Sequence, residues 1–304
     1  MRIVLIGQAA FGEAVLQRLL ENKAEVVAVF CPPDPPGKSN PLRDRAEQQG
    51  ISVFQPKRMR DPEVYGEFVK LRPDLNVLAF VTDIIPQRIL DYPTHGSIQY
   101  HPSLLPKHRG GSAINWAIIG GETRTGLTIF WPDKGIDTGP ILLQRSVEIQ
   151  PDDTVGSVYF NKLFPLGVDA LAEAVQMVEA GTAPRIPQDE SQGTYEGLCR
   201  EEQATIDWSR PYQEVYNLIR GSNPQPGATT FFRGQKIKIF DAAAQPGASG
   251  APGTVVEVGP ASFTIAAKGG GIVAKRVQPT GSAKIKAPDF IQSTNLQVGE
   301  RFGE

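Results

Sequence analysis

Short apolar runs alternate with helical patterns through the first half of the chain. The runs of strand length are residues 3–6, 26–30, 51–54 and 75–80. After the first run the apolar positions recur at helical spacing, at Phe11, Val15, Leu16, Leu19 and Leu20. Residues 63–71 also have a helical pattern. Strands that alternate with helices predict βαβ units and a mainly parallel sheet, so the expected fold class is α/β.

The candidate ligand positions follow from this arrangement. In an open α/β sheet, ligands bind beyond the carboxyl ends of the strands. The loops after Phe30, Phe80 and Tyr100 are therefore the segments in which we expect functional side chains.

The middle of the chain departs from simple strand–helix alternation. Residues 127–131 and 141–149 have strand patterns and are joined by the turn sequence PDKGIDTG, which predicts an antiparallel pair. Residues 155–180 then have the apolar spacing of one long helix. The polar segment 188–203 has the composition of a linker.

The last hundred residues have a different character. A short helical pattern at 212–218 leads to the Pro/Gly-rich sequence IRGSNPQPGA, and short strand-like runs follow at 228–232, 235–240, 253–258, 262–267 and 271–277. Many short strands separated by turn residues predict a small β-barrel or sandwich. We therefore expect two domains, residues 1–204 and 205–304.

Composition excludes several classes of protein. The 304 residues are 40% hydrophobic and 21% charged, with a net charge of −2, as in an ordinary soluble globular protein and unlike a strongly basic nucleic-acid binder. Two cysteines, Cys31 and Cys199, fit a reducing compartment. The apolar start is too short for a signal peptide, and no apolar segment is long enough to cross a bilayer. We expect a cytoplasmic protein without a membrane partner.

The main candidate chemistry lies in two segments. The run QYHPSLLPKHRGGSAINW (99–116) contains His101 and His108, two of the three histidines, and TIFWPDKGIDTGP (128–140) contains Asp133 and Asp137 among glycines. Taken singly, a histidine is more often structural than catalytic, and GIDTG is an ordinary turn sequence. Together they place a histidine at a strand's carboxyl end and an aspartate 36 residues later. This combination is typical of acid–base chemistry on a carbonyl.

Other chemistries have weaker signals. GQAAFG (7–12) is not the GxGxxG dinucleotide motif, and we interpret it as a tight strand-to-helix turn. There is no GxxxxGK[ST] phosphate loop and no GxSxG nucleophile elbow. The third histidine, His95, has no partner at metal-ligand spacing, so no metal is expected.

The two segments resemble the folate-dependent formyltransferases, whose motif N-x-H-x-S-L-L-P-x-x-x-G is followed by a D-x-G-x-D-x-G loop. Here the residues are Gln99-Tyr-His101-Pro-Ser103-Leu-Leu-Pro106 with Arg109-Gly110, and Asp133-Lys-Gly135-Ile-Asp137-Thr-Gly139. The resemblance covers nearly the whole chain and is strongest to the hydrolase domain of formyltetrahydrofolate dehydrogenases. It implies a Rossmann-like folate-binding catalytic domain at 1–204. For 205–304 it implies the β-barrel domain that methionyl-tRNA formyltransferases also carry.

The resemblance also implies site residues. His101 and Asp137 correspond to the catalytic pair, and Gln99 stands where formyltransferases have Asn, as a second donor to the oxyanion. The pterin of 10-formyltetrahydrofolate, the formyl donor, is expected to contact two loops, Asp83-Ile84-Ile85 and Asp133-Lys134-Gly135-Ile136. Metal is not implied.

Two residues near His101 have open roles. His108 is either a second catalytic histidine or a residue that shapes the rim of the site, and the second interpretation is preferred. Arg109 either meets the glutamate tail of the folate or pairs with a carboxylate of the protein.

Three hypotheses compete for the reaction. The first is a hydrolase or small-amine formyltransferase acting on 10-formyltetrahydrofolate, the second a methionyl-tRNA formyltransferase, and the third a catalytically impaired folate-binding protein. The loop 31–42 has Lys38 as its only basic residue, where tRNA formyltransferases typically insert a basic loop. From Asp207 onward there are 11 Lys and Arg against 7 Asp and Glu, a mild excess for a tRNA surface. These charges favour water or a small amine as the acceptor.

Overall fold

The apolar runs of the first half form one sheet in the computed structural model, which describes residues 1–303. The elements up to residue 148 are β1 (Arg2–Gly7), α1 (Ala9–Glu21), β2 (Glu25–Phe30), α2 (Pro41–Gln48), β3 (Ser52–Phe54), α3 (Pro62–Lys70), β4 (Leu75–Ala79), α4 (Gln87–Leu90), β5 (Ser97–His101), β6 (Arg109–Gly110), α5 (Ala113–Ile119), β7 (Arg124–Phe130) and β8 (Ile141–Glu148).

The sheet has the order β3-β2-β1-β4-β5-β7-β8 within the described residues. Strands β3, β2, β1, β4 and β5 pair in parallel, and β7 pairs antiparallel to β5. The prediction of an α/β fold with a mainly parallel sheet is confirmed. The apolar positions of α1 explain its packing, because Phe11, Val15, Leu16 and Leu19 are all buried.

The first turn brings two strands close together. A Cβ on Gly7 would lie 2.5 Å from the backbone oxygen of Ala79 in β4. The glycine of the GQAAFG sequence therefore lets β1 pass beside β4 before α1 begins, as expected for a tight strand-to-helix turn.

The second half of the chain contains α6 (Val155–Val158), a π-helical turn (Tyr159–Leu163), α7 (Phe164–Glu179), a 3₁₀ turn (Glu190–Gln192), β9 (Tyr195–Glu196), α8 (Tyr212–Gly221), β10 (Ala228–Phe232), β11 (Gln235–Ile239), β12 (Ala242–Pro246), β13 (Val255–Val258), β14 (Phe263–Ala267), β15 (Gly270–Ala274), β16 (Arg276–Pro279), β17 (Ile285–Lys286) and α9 (Ala287–Thr294).

The helix predicted for 155–180 is present, with residues 155–179 helical without a gap, but its first part is not purely α-helical. It consists of α6, the π-helical turn and then the long helix α7. Pro165 accounts for the π-helical turn, because proline has no N–H and its ring clashes with the carbonyl four residues earlier in a regular α-helix. A π-helical turn shortly before the proline accommodates both effects.

The C-terminal strands form two antiparallel sheets. Among the described residues their orders are β10-β11-β16-β17 and β12-β15-β14-β13. The predicted run 271–277 divides into the end of β15 and the start of β16, which belong to different sheets. Strand β12 was not predicted, because its sequence AAAQP contains no β-branched or aromatic residue.

The chain separates into two compact units that interleave along the sequence. The first contains Met1–Gly110, Gly126–Val147 and Asn161–Tyr195, and the second contains Gly111–Thr125, Glu148–Phe160 and the chain from Glu196 onward. The core of the second unit includes Phe232, Phe263, Phe290 and Phe302, with Phe232 and Phe302 stacked at 4.8 Å between ring centroids. The boundary expected near residue 205 stays a prediction.

Helix α3 offers a test of backbone entropy. Gly66 lies on its exposed face, and a Cβ added there would meet nothing within 4 Å. We expect Gly66→Ala to raise the free energy of unfolding by about 0.5–1 kcal/mol, because alanine restricts the unfolded chain without strain in the helix. Urea unfolding followed by circular dichroism measures this difference. A lower denaturation midpoint with an unchanged slope would contradict it.

Candidate active site

His101 is the last residue of β5. It therefore lies at the carboxyl end of the strand, where ligands are expected in an open α/β sheet. Its side chain is buried, and its ring Nε2 lies 2.8 Å from the backbone oxygen of His108. A carbonyl oxygen only accepts, so Nε2 carries the proton and donates it to His108. The other ring nitrogen, Nδ1, is therefore the position left for proton exchange.

Asp137 faces that nitrogen. Its Oδ2 lies 3.6 Å from His101 Nδ1, and both side chains are less than one-tenth exposed. The same oxygen accepts the backbone N–H of Gly110 at 2.8 Å, which fixes the carboxylate in place. Asp137 has φ of +56°, a left-handed conformation that Asp tolerates better than most side chains. The structure thus brings the two predicted catalytic residues together.

Gln99 lies on the same strand as His101, two residues earlier. Alternate residues of a strand point to the same face, so these two side chains are neighbours about 7 Å apart along β5. Gln99 is half-buried and pairs in register with Leu78 of β4 and Phe130 of β7. Within residues 1–303 its side-chain amide has no hydrogen-bond partner, which leaves it available to a ligand.

The first predicted folate loop is organised by its own aspartate. Asp83 accepts hydrogen bonds from the backbone N–H of Met59 at 2.7 Å and of Ile84 at 2.9 Å. Ile85 is buried, whereas Ile84 is 78% exposed. The aspartate therefore shapes the loop, and the loop presents an apolar side chain to solvent.

The second predicted folate loop repeats this design. Asp133 Oδ1 accepts the backbone N–H of Gly135 at 3.0 Å and the hydroxyl of Thr138 at 2.6 Å. Lys134 and Ile136 are exposed, Ile136 by 56%. Each of the two loops thus presents one large exposed apolar side chain.

A small cavity of ≈ 50 Å³ lies at the carboxyl ends of β1, β2 and β4. Its lining includes Gly7, Cys31, Met59, Phe80 and Asp83, so it borders the first folate loop. Burial, reinforced by the nearby Asp34 carboxylate, raises the pKa of the Cys31 thiol to about 11. Cys31 is therefore protonated at neutral pH and lines the cavity as a nearly apolar group.

Arg109 pairs with a carboxylate, one of the two roles left open for it. Its guanidinium is buried and donates to Glu190 through Nη1 and Nη2, each at 2.8 Å. The hydrogen bond to Glu190 raises the pKa of Arg109, and the same contact lowers the pKa of Glu190. The backbone of His108 contacts the site as well, since its carbonyl holds His101 and its N–H donates to Thr194 Oγ1 at 2.8 Å.

The segment expected to be a linker contains a residue that sequence reasoning missed. Gln188 donates from Nε2 to the carbonyl oxygens of Asp137 and Gly139, both at 2.8 Å, and accepts from Arg109. The sequence analysis assigned this glutamine no role, because its partners lie 49 to 79 residues away.

Across residues 1–303 there is no group of three His, Cys, Asp or Glu side chains arranged to hold a metal ion. Over the same residues, every helix is too short or too polar to cross a membrane.

The structure thus combines an open α/β sheet with a buried His–Asp pair at the carboxyl ends of its central strands, where ligands bind in such sheets. Residues 1–175 match the model of the formyl transferase family, and residues 199–295 match the model of the formyl transferase C-terminal domain. The chain therefore belongs to the folate-dependent formyl transferase family, as its motifs predicted.

Two curated relatives illustrate the range of this family. The chain is 46% identical over 246 residues to the cytosolic 10-formyltetrahydrofolate dehydrogenase of Mus musculus, an alignment that covers 79% of the chain and 27% of that protein. It thus spans about a quarter of the dehydrogenase's length. It is 38% identical to the methionyl-tRNA formyltransferase of Geotalea daltonii, over 100% of the chain and 98% of the relative.

Among solved structures, HypX from Aquifex aeolicus in complex with tetrahydrofolic acid has the same fold. The TM-score is 0.71 at 20% identity, and the match covers 99% of this chain and 48% of HypX.

Proposed function

We propose that the protein acts on 10-formyltetrahydrofolate and transfers the formyl group to water, giving tetrahydrofolate and formate, or to a small amine. The observation that carries this proposal is the buried pair of His101 Nδ1 and Asp137 Oδ2, 3.6 Å apart, with Gln99 on the same strand face. Removing a formyl group from nitrogen requires proton transfer to that nitrogen and a donor to the formyl oxygen. These side chains supply both.

The folate is expected to lie between the two loops that begin at Asp83 and Asp133. Ile84 and Ile136 give each loop an exposed apolar side chain, which suits a flat ring better than it suits water. Asp83 and Asp133 already accept hydrogen bonds within their own loops, so the ring would be contacted mainly by backbone and apolar groups. When bound, the folate supplies a formyl carbonyl attached to N10.

Asp137, His101 and Gln99 have different roles in the proposed reaction. Asp137, fixed by the Gly110 N–H, takes a proton from the attacking water or amine and passes it to His101 Nδ1, which delivers it to N10 as the carbon–nitrogen bond breaks. Gln99 donates from its amide to the formyl oxygen as negative charge develops there. One such donor is commonly worth about 3 kcal/mol of transition-state stabilisation. In hydrolysis, the oxygen of water ends in formate and N10 gains the proton.

The charges in and directly after the loop 31–42 favour water or a small amine over tRNA. Lys38 is the only basic residue of the loop 31–42. Arg43, which follows that loop, is engaged by Asp34 and Asp44. A tRNA-binding surface needs uncompensated Lys and Arg to neutralise phosphates, and this segment has little such charge. We also propose a cytoplasmic location, which suits the free thiols of Cys31 and Cys199.

Methionyl-tRNA formyltransferase is the second candidate function. The alignment with such an enzyme extends over the whole chain and nearly all of the relative, including the C-terminal sheets. A catalytically impaired folate-binding protein is the third, and Gln99 in place of the family's Asn is the observation behind it.

One assay separates these candidates. The purified protein is incubated with 10-formyltetrahydrofolate alone, and the release of tetrahydrofolate is followed by absorbance. We expect turnover without any acceptor if water is the acceptor, or with the amino sugar if a small amine is. Parallel reactions contain methionyl-tRNA or an amino sugar. Turnover that needs methionyl-tRNA would overturn the proposal in favour of the second candidate, and folate binding without turnover under any condition would favour the third.

A further inference from the structure

We propose that Gln188 is a positioning residue of this site, which holds the Asp137 loop in register with His101. The inference rests on the proposed function, because it assigns a role in the reaction of that same site. Gln188 lies outside the two motifs that contain His101 and Asp137, and the sequence analysis gave it no role.

The donor side of Gln188 fixes the aspartate loop. Its two amide hydrogens are used on the carbonyl oxygens of Asp137 and Gly139, each 2.8 Å from Nε2. These carbonyls lie on either side of Thr138. The amide therefore binds the backbone at the proposed catalytic aspartate and two residues after it. A loop rich in glycine has little conformational preference of its own, and Asp137 is held in a left-handed conformation. Contacts from outside the loop are therefore needed to hold it.

The acceptor side of Gln188 fixes the histidine loop. Its Oε1 accepts from Arg109 Nε at 3.2 Å and from Arg109 Nη2 at 2.8 Å. Arg109 is itself anchored by Glu190 and by its backbone N–H, which donates to the carbonyl of Thr194 at 3.0 Å. The Gln188 side chain thus joins the two loops, and the anchored Arg109 orients the Gln188 amide.

Arg109 is also the residue between the two backbone groups that hold the catalytic pair. The His108 carbonyl before it accepts from His101, and the Gly110 N–H after it donates to Asp137. A shift of Gln188 is therefore transmitted to both members of the pair. Displacements of about 1 Å at a reacting group commonly cost up to a hundredfold in rate.

The decisive substitution is Gln188→Glu, which keeps the shape and the acceptor for Arg109. It replaces the two N–H donors by an oxygen that repels the carbonyls of Asp137 and Gly139. We expect kcat for 10-formyltetrahydrofolate to fall by about 10- to 100-fold and KM to change little, because the loss falls on the transition state. Gln192→Glu, an exposed position in the same segment, is the matched control and is expected to leave kcat unchanged.

A double-mutant cycle distinguishes positioning from a general structural role. If Gln188 acts through Asp137, then Gln188→Glu changes kcat by less than about twofold in a protein that already carries Asp137→Ala. A full, multiplicative loss in that background would overturn the proposal. If the Glu variant fails to fold, Gln188→Met, which has similar length and no donor, takes its place with the same expectations.

A second readout does not depend on turnover. The Gly110 N–H is bonded to Asp137 Oδ2, so its hydrogen exchange reports the position of the aspartate. We expect exchange of this amide to accelerate about tenfold in Gln188→Glu and not in Gln192→Glu. Unchanged exchange would overturn the positioning role even if the wild type is active. If the wild type shows no turnover but exchange accelerates as expected, the proposed function fails and the positioning role stands.

Discussion

The His101→Gln variant is expected to lose about three orders of magnitude in kcat for 10-formyltetrahydrofolate while keeping its fold. The glutamine amide is able to donate to the His108 carbonyl that Nε2 contacts at 2.8 Å, so the buried acceptor keeps a partner. What disappears is Nδ1, the ring atom that faces Asp137 at 3.6 Å. General acid–base groups contribute about 10²- to 10⁴-fold to catalysis. Steady-state kinetics together with circular dichroism measure the effect.

His95→Gln is the matched control for this experiment. His95 is the exposed histidine that precedes β5, at the opposite end of the strand from His101, and its replacement is expected to leave kcat within about twofold of the wild type. Wild-type kcat in His101→Gln would contradict the catalytic assignment. A loss of equal size in both variants would show that histidine removal acts through stability.

The second large effect is expected from Gly139→Ala. A Cβ at this position would lie 1.8 Å from the backbone oxygen of Trp131 and 2.9 Å from its carbonyl carbon. Neither atom is able to move aside as a side chain would, because the Trp131 N–H also donates to the carbonyl of Pro140 at 2.9 Å. The loop must therefore shift, and Asp137 shifts with it.

We expect Gly139→Ala to lower kcat about 100-fold and to reduce the thermal melting temperature. Gly66→Ala provides the comparison, since the same substitution in open space on α3 is expected to stabilise the protein and to leave kcat unchanged. A Gly139→Ala protein with wild-type kcat would show that the loop tolerates the displacement, and it would weaken the link between loop geometry and catalysis.

Prediction from the sequence was most accurate where the relevant forces are local. The first parallel strands were found from short apolar runs, because strands covered on both faces are apolar at nearly every position, as the burial of Leu75–Ala79 shows. Strand β12 escaped detection because alanine and proline carry no strand signal. The helix at 155–180 was predicted correctly in extent, but apolar spacing alone does not indicate the π-helical turn that precedes Pro165.

The same difference between local and long-range contacts explains which parts of the site were predicted. Motif and spacing predicted His101 at the end of a strand and Asp137 in a glycine loop, and the family resemblance implied that this glycine loop and the loop at Asp83 contact the folate. They gave no indication of Gln188, which composition placed in a linker, and they left two roles open for Arg109. Both residues act through partners about 50 to 80 residues away, so no local pattern in the chain encodes their contacts.

By itself, the sequence determined the α/β sheet, the strand that ends at His101 and the loop that contains Asp137, because apolar periodicity and glycine turns act between near neighbours. Only the tertiary structure decided which imidazole nitrogen faces the carboxylate and that Gly110 and Gln188 hold the aspartate in place. It also decided that Arg109 forms an ion pair with Glu190. These contacts join segments that are distant in the chain, and their geometry exists only once the sheet has brought those segments together.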